Sequence, residues 1–280
     1  ANWDPKVDNI REIATELNIG LDSLVFVDDN PAERAFVAEQ LPEVAVPDVG
    51  SDVSRFAEVL EQEHYFEAEK VVREDLSRAA YYTSNTQRSL SHGAFSNYGE
   101  YLASLNMSAE IGPFLPVYLE RITQLINKTN QFNLTTRRYI SAQVEGVSRD
   151  SGFVTLYGRL ADKFGDNGLV SVLIGRVIDN TLEMDLWLMS CRVLNREMEL
   201  AMFDALIREC QARKIREIVG VYMPSKKNRM VAGHYAGLGF TRVEGNSDGR
   251  EIWRYDVPEA YSPKTRHIRR TGNCSAGSVV

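Results

Sequence analysis

The stretch LEMDLWLMSCRVLNRE, residues 182–197, passes from an apolar run through a short loop into the start of a helical pattern. Its first half, Leu182–Met189, has the composition of a strand. Beyond the loop, apolar side chains return at helical spacing, which predicts a long helix with a buried face formed by Leu200, Phe203, Ile207 and Cys210. A strand followed closely by a helix favours an α/β domain.

Segments on either side of this stretch extend the pattern. Two strand-like runs, Phe153–Tyr157 and Leu169–Ile178, precede it and are separated by turn residues, so we predict an antiparallel meander of three strands. Another strand is predicted at Ile215–Val221. After a further helix, two closing strands are expected at about residues 240–243 and 251–255.

The region before the meander is predicted to be mainly helical. Helical spacing of apolar side chains covers residues 115–126, and a second helix is predicted to start near Thr136. Two helices rich in Glu and Arg are expected over residues 56–76, and a short helix over residues 99–105. We interpret residues 51–105 as a helical connector.

The amino-terminal segment has its own α/β pattern. Apolar residues at helical spacing predict a helix over residues 5–18, ended by Gly20 as a left-handed C-cap. Leu24–Val27 is a short apolar run without alternation, typical of a buried parallel strand. Asp28 and Asp29 follow at its carboxyl end, which is where open α/β sheets bind ligands.

The two adjacent carboxylates allow two interpretations. Asp28 and Asp29 repel each other unless a cation such as Mg²⁺ offsets the repulsion, which favours a metal site. Alternatively, they belong to a turn that caps the helix expected from Pro31. Lys6, at the start of the preceding helix, favours a site for a phosphate and a metal.

Composition limits the possible functions. The chain has 280 residues, 44% hydrophobic and 25% charged, which is enough for one full domain and part of another. Its formal net charge of −7 argues against nucleic acid as a partner. Three widely spaced cysteines favour a reducing compartment, and the sequence shows no signal peptide or membrane-length apolar run. We therefore expect a cytoplasmic protein without a membrane partner.

The amino-terminal motif resembles a known family. Asn2, Trp3, Lys6 and Asn9, followed by LDSLVFVDDNP at residues 21–31, resemble the third and fourth motifs of the haloacid-dehalogenase (HAD) phosphatase superfamily, in its FkbH-like branch. The resemblance implies that Lys6 binds the phosphate as a catalytic residue. It also implies that Asp28 and Asp29 hold Mg²⁺. The Asp-x-Asp-x-Thr nucleophile motif of that family is absent from this sequence, so we expect a carboxyl-terminal part of a longer protein without phosphatase activity of its own.

The loop after the meander resembles that of GCN5-type (GNAT) acyltransferases. In that fold an Arg/Gln-x-x-Gly-x-Gly/Ala loop and the next helix hold the pyrophosphate of coenzyme A through backbone N–H groups. Arg192 takes the first position, while Asn195 and Glu197 replace the glycines. Asn tolerates the left-handed conformation, whereas Glu197 brings a negative charge to a helix amino terminus. We expect Glu197 to weaken acetyl-CoA binding.

Other residues of this half have open interpretations. Tyr235 matches a tyrosine that protonates the leaving thiolate in many GNAT enzymes, although a packing role explains it equally well. Cys191 is either a carrier of an acyl thioester or a buried structural thiol. Asn228 is placed with the residues that bind the acyl or pantetheine group. His234 is interpreted either as a base beside Tyr235 or, more simply, as a solvated or hydrogen-bonded histidine at a helix surface.

A polar string strengthens the family resemblance. KTNQFNLTTRRY, residues 128–139, resembles the carboxyl-terminal part of FkbH-like proteins, and the resemblance extends from Asn2 to about Val257. It implies that Asn130, Asn133 and Arg137 line a pocket for a hydroxylated or phosphorylated acid. Alternatively, the string caps two helices through its side chains.

The resemblance implies a glyceryl transferase/phosphatase that dephosphorylates a small phosphorylated three-carbon acid and loads the acyl group on acyl carrier protein in polyketide-type biosynthesis. Phosphopantetheine or acyl-CoA would carry the acyl group. Two alternatives remain, a GNAT-fold N- or O-acyltransferase that uses acyl-CoA and a non-catalytic module that binds a carrier protein. Whether the chain is an enzyme is left open.

The expected fold class is α/β. We predict part of a HAD-like, Rossmannoid domain at residues 1–50 and the helical connector at 51–105. A GNAT-like α+β domain with a mixed, largely antiparallel sheet is predicted at residues 106–257, and a polar, disordered tail at 258–280.

Overall fold

The computed structural model describes residues 4–17, 19–67, 84–85, 87–88, 91, 93, 95–245 and 249–271. The chain divides into two compact units, Ala1–Thr86 and Gln87–Val280. The predicted connector is shared between them. Asn2 and Trp3 lie outside the described residues, as do residues 68–83, where most of the second connector helix is predicted.

The described residues of the first unit include the helices α1 (Lys6–Leu17), α2 (Pro31–Gln40) and α3 (Phe56–Gln62). The helix predicted over residues 5–18 is confirmed. Apolar side chains of α1 and α2 and of the chain after α2 form a small core of Val7, Ile10, Val37, Leu41 and Val44.

The predicted strand at Leu24–Val27 is reduced to a single parallel bridge between Val25 and Ala45. The Phe26 N–H donates to the Ala45 carbonyl oxygen at 2.9 Å, and the Ala45 N–H donates to that of Leu24 at 3.1 Å. A parallel β-strand is held by hydrogen bonds to neighbouring strands along its length. Within the described residues this run has only one bridged partner, so it does not extend into a full strand.

The left-handed cap predicted at Gly20 is wrong. Gly20 has φ −70° and ψ 150°, which is extended backbone open to any residue. The chain leaves α1 earlier, where the Ile19 N–H donates to the Ala14 carbonyl oxygen at 3.0 Å.

The second unit contains five described helices and nine strands. The helices are α4 (Tyr98–Ser104), α5 (Leu119–Lys128), α6 (Ser141–Arg149), α7 (Met198–Ala212) and α8 (His234–Leu238). The strands are β1 (Met107–Gly112), β2 (Phe132–Asn133), β3 (Phe153–Asp162), β4 (Gly165–Ile178), β5 (Thr181–Met189), β6 (Glu217–Tyr222), β7 (Thr241–Gly245), β8 (Glu251–Asp256) and β9 (Ile268–Thr271).

These strands form one sheet with the order β7-β8-β6-β5-β4-β3-β1-β9, and β2 pairs with β5 off this path. The pairs β3–β4 and β4–β5 are antiparallel, which confirms the predicted meander. The pairs β5–β6 and β1–β9 are parallel. The second unit is therefore an α/β fold with a mixed, largely antiparallel sheet, as predicted.

Strand β5 is buried on both faces. Its alternate side chains Leu186 and Leu188 pack in one apolar cluster with α5 and α6, whereas Trp187 and Met189 pack in the other with α7 and α8. Side chains of a strand alternate between the faces of a sheet, so helices must cover both sides. The uninterrupted apolar run of β5 reflects this double burial.

The helix predicted to start near Thr136 begins five residues later, at Ser141. Thr136 has a left-handed φ of 55°, and Ile140 is extended. The Ile140 N–H donates to Gln143 Oε1 at 3.0 Å, a side-chain contact that fixes the start of α6.

The carboxyl-terminal segment differs from the predicted polar tail. Residues 268–271 form β9 and pair with β1, and the buried Asp204 carboxylate on α7 accepts hydrogen bonds from Tyr261, Lys264 and Thr265. A buried carboxylate needs such donors, and no sequence pattern marks Asp204 as buried. Residues 272–280 lie outside the described part of the chain. None of the described helices is long and apolar enough to span a membrane.

Candidate functional site

The first unit brings Lys6 and Asp28 together. Lys6 Nζ lies 3.8 Å from Asp28 Oδ2, and the Asp28 side chain is 15% exposed. Asp28 Oδ1 accepts the N–H of Asn30 at 2.9 Å, while Asn30 Oδ1 accepts that of Ala32 at 3.0 Å. Asn30 therefore caps α2, and the second oxygen of Asp28 faces the lysine.

The side chain of Arg34 supports the backbone of the turn that contains Asp28 and Asp29. The Arg34 guanidinium, almost buried, donates to the carbonyl oxygens of Asp28 at 2.9 Å and Asp29 at 3.3 Å. The Asp29 side chain is exposed. This arrangement fixes the backbone of both aspartates and places the Asp28 carboxylate beside Lys6.

These residues fit part of a magnesium site. Mg²⁺ is usually held by one or two carboxylates and keeps several waters. Asp28 and Asp29 would be those carboxylates, and the ion would neutralise charge on a phosphate bound by Lys6. Within the described residues there is no cluster of three or more His, Cys, Asp or Glu side chains that could hold a metal by themselves.

In the second unit, the loop between β5 and α7 is a tight turn with two unusual residues. Asn195 and Glu197 have φ values of 61° and 60°. L-residues reach this left-handed region at a cost of roughly 1–2 kcal/mol each. The loop is held by Ser190 Oγ, which accepts from Arg192 Nε at 3.2 Å, and by Arg196 Nη2, which donates to the Arg192 carbonyl oxygen at 2.8 Å.

The Glu197 side chain turns toward the carboxyl-terminal segment. Its Oε2 accepts the N–H groups of Arg266 and His267, both at 2.9 Å, and Oε1 lies 2.8 Å from His267 Nδ1. Burial by itself would raise the pKa of Glu197, but these hydrogen bonds outweigh it and lower the pKa. Glu197 therefore keeps its negative charge at neutral pH, and these contacts hold the carboxylate against the carboxyl-terminal segment.

Cys191 begins the same loop. Its side chain is partly exposed and has a free thiol. Burial raises the pKa of Cys191 and outweighs the nearby Arg192 charge. The group is therefore a protonated thiol at neutral pH, which is a poor nucleophile.

Strands β5 and β6 are paired at their amino-terminal ends and diverge toward this loop. Their parallel pairing covers only Thr181–Glu183 with Glu217–Val219. Near its carboxyl end, β5 pairs instead with β2, and Phe132 lies opposite Met189. We call the space between β5 and β6 beyond these paired residues the crevice.

The chain after β2 bridges the crevice. The Leu134 N–H donates to the Trp187 carbonyl oxygen at 3.0 Å, and the Met223 N–H donates to that of Leu134 at 2.8 Å. The fully buried Asn228 donates through Nδ2 to the Asn133 carbonyl oxygen at 2.8 Å. Asn133 is itself buried and binds Thr129 and Thr136.

The structure separates the residues of the predicted pocket. Asn133 and Asn228 lie together and hold the backbone of the crevice segment. Asn130 Oδ1 accepts from Arg138, and the Arg137 guanidinium pairs with the Asp185 carboxylate. The predicted capping is seen at one helix, because Asn133 Nδ2 and Arg138 Nη1 donate to the Thr129 carbonyl oxygen at the end of α5. A pocket lined by Asn130, Asn133 and Arg137 stays a prediction.

Tyr235 is packed in the core at 2% exposure. Its hydroxyl accepts the Val221 N–H at 3.2 Å and donates to the Val221 carbonyl oxygen at 3.4 Å. Burial raises its pKa. A Cβ on Gly220 would lie 2.5 Å from the ring, so Gly220 leaves the space that this ring fills. These are contacts of a packing residue, and the role as a general acid stays a prediction.

Sequence reasoning missed His234 and Trp187. His234 was interpreted as a surface residue, but its Nε2 is buried, and so is Trp187 Nε1. Neither atom has a hydrogen-bond partner among the described residues. The two rings meet edge to face with centroids 4.6 Å apart. Trp187 lies in the apolar run that predicted β5, whereas no local pattern marks the burial of His234, whose ring contacts Phe132 of β2.

Comparisons with known proteins find similar solved structures over parts of the chain. No protein-family model and no curated protein matches the chain. Among solved structures, the ribosomal-protein-S18-alanine N-acetyltransferase of Escherichia coli is 12% identical with a TM-score of 0.41, covering 56% of this chain and 99% of its own. A GNAT-family acetyltransferase of Streptococcus pneumoniae is 12% identical with a TM-score of 0.43, covering 54% of this chain and 100% of its own.

A third solved structure matches a short part of the chain. It is the N-terminal part of the protein BF1531 from Bacteroides fragilis, which contains a phosphatase domain complexed with Mg. It is 48% identical over 25% of this chain and 19% of its own, with a TM-score of 0.25. The GNAT-like fold of the second unit rests on its own strand order, with a meander, a parallel crossover through α7 and two closing strands.

Proposed function

We propose that the second unit transfers an acyl group that is carried as a thioester on pantetheine, either in acyl-CoA or on an acyl carrier protein. The observation that carries this proposal is the backbone of the loop before α7. Asn195 and Glu197 both adopt the left-handed conformation at the two positions where the motif has glycine. Strain of this kind persists where the surrounding structure enforces it, and it concentrates at binding sites.

The surroundings of the loop support anion binding. Helix α7 has 15 residues, and the first N–H groups of a helix have no partner within it. Together with the helix dipole they attract phosphate groups. Arg192 adds a positive charge at the start of the loop, while the carboxylate of Glu197 is occupied by Arg266 and His267.

The first test is the affinity for acetyl-CoA, measured by calorimetry. Removing a hydrogen bond to a charged group costs about 1.5–3 kcal/mol, so Arg192→Ala is expected to weaken binding about tenfold or more. Glu197→Gly removes a negative charge from the helix amino terminus and is expected to tighten binding by roughly two- to fivefold, from 0.3–1 kcal/mol.

Arg149→Ala is the matched control, because this exposed arginine at the end of α6 pairs only with Glu145 in an exposed contact. It should leave the affinity unchanged. Holo and apo acyl carrier protein are then titrated in the same way. Tighter binding of holo acyl carrier protein than of acetyl-CoA would identify the carrier-borne thioester as the acyl donor. If the chain binds no acetyl-CoA and does not distinguish holo from apo carrier protein, the acyltransferase proposal fails.

The finer proposal is that both units serve an FkbH-like glyceryl transferase/phosphatase. The specific support is the ion pair between Lys6 and Asp28, which is followed in the chain by Asp29. The proposal assigns phosphate binding to the lysine and Mg²⁺ binding to the two carboxylates. In this proposal the first unit handles a phosphorylated three-carbon acid. The second unit handles the acyl group after phosphate is removed.

Mg²⁺ binding in the presence of inorganic phosphate tests the first unit. Asp28→Asn removes one of the two carboxylates, and we expect it to weaken Mg²⁺ binding at least tenfold because each carboxylate contributes directly to a hard-cation site. Lys6→Met should weaken phosphate binding more than Mg²⁺ binding. Glu39→Gln, at an exposed position near the end of α2, is the control. Equal Mg²⁺ affinity of Asp28→Asn and the unmodified chain would exclude this site.

A further inference from the structure

The carboxyl-terminal segment that leads into β9 follows helix α7 over most of its length. We call residues 258–267 the strap. The strap contacts, in chain order, the side chains of Gln211, Asp204 and Glu197. Because an α-helix rises 1.5 Å per residue, these contacts span about 20 Å of α7. The strap therefore runs antiparallel to α7 and reaches its amino terminus.

Backbone groups hold the strap on the helix, so its basic side chains do not make these contacts. The N–H of Lys264 donates to Asp204, and the N–H of Arg266 donates to Glu197, each at 2.9 Å. Arg266 is exposed and Lys264 is partly exposed. At the far end of the strap, near Gln211, lies the exposed acidic residue Glu259. Positive charge is thus concentrated on the half of the strap that approaches the start of α7.

Helix α7 adds a third cation beside the strap. Arg208 is exposed and lies one helical turn after Asp204, so both residues are on the same face of α7. Burial and Asp204 raise the pKa of Tyr261 on the strap, and the positive charge of Arg208 opposes that rise, which places Arg208 near the strap. We call Arg208, Lys264 and Arg266 the basic surface.

The charges of the basic surface are not used within the unit. In the described part of the chain none of its three cations forms an ion pair, whereas Arg149 and Arg213 each pair with a glutamate four residues away. The chain as a whole has a formal net charge of −7, which repels an acidic protein. A local surface of opposite sign offsets this repulsion and orients such a partner as it approaches.

The extent of the basic surface favours a protein over a small anion. Arg208 lies 11 positions after Glu197, where the strap places Arg266, and this separation corresponds to about 16 Å along the helix. One phosphate group contacts only one end of such a surface. Acidic side chains on the face of a second protein can contact all of it.

We propose that the basic surface is the docking site of an acidic carrier protein, whose thioester arm then enters at the loop before α7. Arg266 is held at Glu197, the residue at which that loop joins the helix. A protein that lies along the strap therefore has its arm next to the proposed pantetheine site. The inference deepens the proposed acyl transfer and rests on it for the identity of the partner.

Binding of apo acyl carrier protein tests the basic surface by itself, because the apo form has no pantetheine arm. Surface plasmon resonance at low and at physiological ionic strength measures the association rate and the affinity. Arg208→Glu, Lys264→Glu and Arg266→Glu should each weaken binding about three- to tenfold, because reversal replaces attraction by repulsion. The difference from the unmodified chain should shrink as salt is added. These variants keep the backbone N–H groups that hold the strap.

Arg176→Glu is the matched control. Arg176 is an exposed arginine of β4 and lies opposite Phe153, which packs on the face of the sheet away from α7. It should leave the affinity for apo carrier protein unchanged. If a glutamate variant does not fold, the glutamine variant at the same position takes its place, with a smaller expected loss.

The holo form should lose affinity by the same factor as the apo form, while the affinity for acetyl-CoA stays unchanged. No binding of the apo form, or equal affinities of Arg266→Glu and Arg176→Glu, overturns the docking proposal. An equal loss of acetyl-CoA affinity would assign these cations to the phosphates of free coenzyme A and overturn it as well. If apo and holo forms bind equally well through the basic surface, the docking site stands and only the carrier-borne donor is rejected.

Discussion

Replacing Asp162 by Asn is expected to lower the free energy of unfolding of the second unit by about 3–5 kcal/mol. The Asp162 side chain is fully buried and is bound by Arg88 Nε at 2.7 Å and Arg196 Nη1 at 3.2 Å. Both guanidinium groups are almost buried as well. The variant leaves two buried positive charges without their counter-ion, which is far more costly than losing a surface pair.

Urea and thermal unfolding, followed by circular dichroism, measure this effect. For a unit of this size the melting temperature should fall by about 10 °C. Glu145→Gln is the control, since Glu145 forms an exposed pair with Arg149 one helical turn away. It should cost less than about 0.5 kcal/mol. Similar losses in the two variants would show that the Asp162 network does not hold the unit together.

The effect of Asp162 has a defined pH dependence. Burial by itself would raise the pKa of Asp162, but the hydrogen bond and charge of Arg88 outweigh burial, helped by the Phe164 N–H and Arg196, and the pKa is lowered. A lowered pKa contributes stability above the unfolded value near 3.9, and this stability is lost as the pH falls through the folded value. The difference between the unmodified chain and Asp162→Asn should therefore be constant from neutral pH to about pH 5 and shrink below about pH 4.

Asp204→Asn is the second large effect, with an expected loss of about 2–4 kcal/mol. The Asp204 carboxylate on α7 accepts four hydrogen bonds, from the Tyr261 hydroxyl at 2.6 Å, the Lys264 N–H at 2.9 Å, and the Thr265 N–H at 3.1 Å and hydroxyl at 2.6 Å. An amide at this position has one acceptor oxygen, and its NH₂ group faces one of the two backbone N–H donors. The segment that leads into β9 would lose its main attachment.

Amide hydrogen exchange checks this expectation directly. Exchange in Ile268–Thr271 should accelerate strongly in Asp204→Asn, while β4 in the middle of the sheet stays protected. Glu209→Gln on the same helix is the control, because Glu209 pairs with Arg213 in a half-exposed contact. Unchanged exchange in β9 would mean that pairing with β1 and the contacts of Glu197 with Arg266 and His267 hold this strand without Asp204.

Sequence patterns determined much of the second unit. The meander, the long helix α7 and the two closing strands follow from apolar spacing and turn residues, because local chemistry fixes these elements. The left-handed residue at Asn195 was also indicated by a motif in which glycine normally stands. In the first unit, the family resemblance assigned Lys6 and Asp28 to one site, and their side chains lie 3.8 Å apart, while their phosphate and metal roles stay predictions.

Only the tertiary structure decided which polar residues are buried and what they contact. The carboxylate of Glu197 and the ordered backbone of residues 258–271 stabilise each other, because the carboxylate binds Arg266 and His267 across about seventy residues of chain. His234 became a buried, neutral ring because β2 crosses the crevice, and no pattern around His234 contains that information. Sequence sets which elements form, whereas burial and hydrogen-bond partners arise from long-range packing between them.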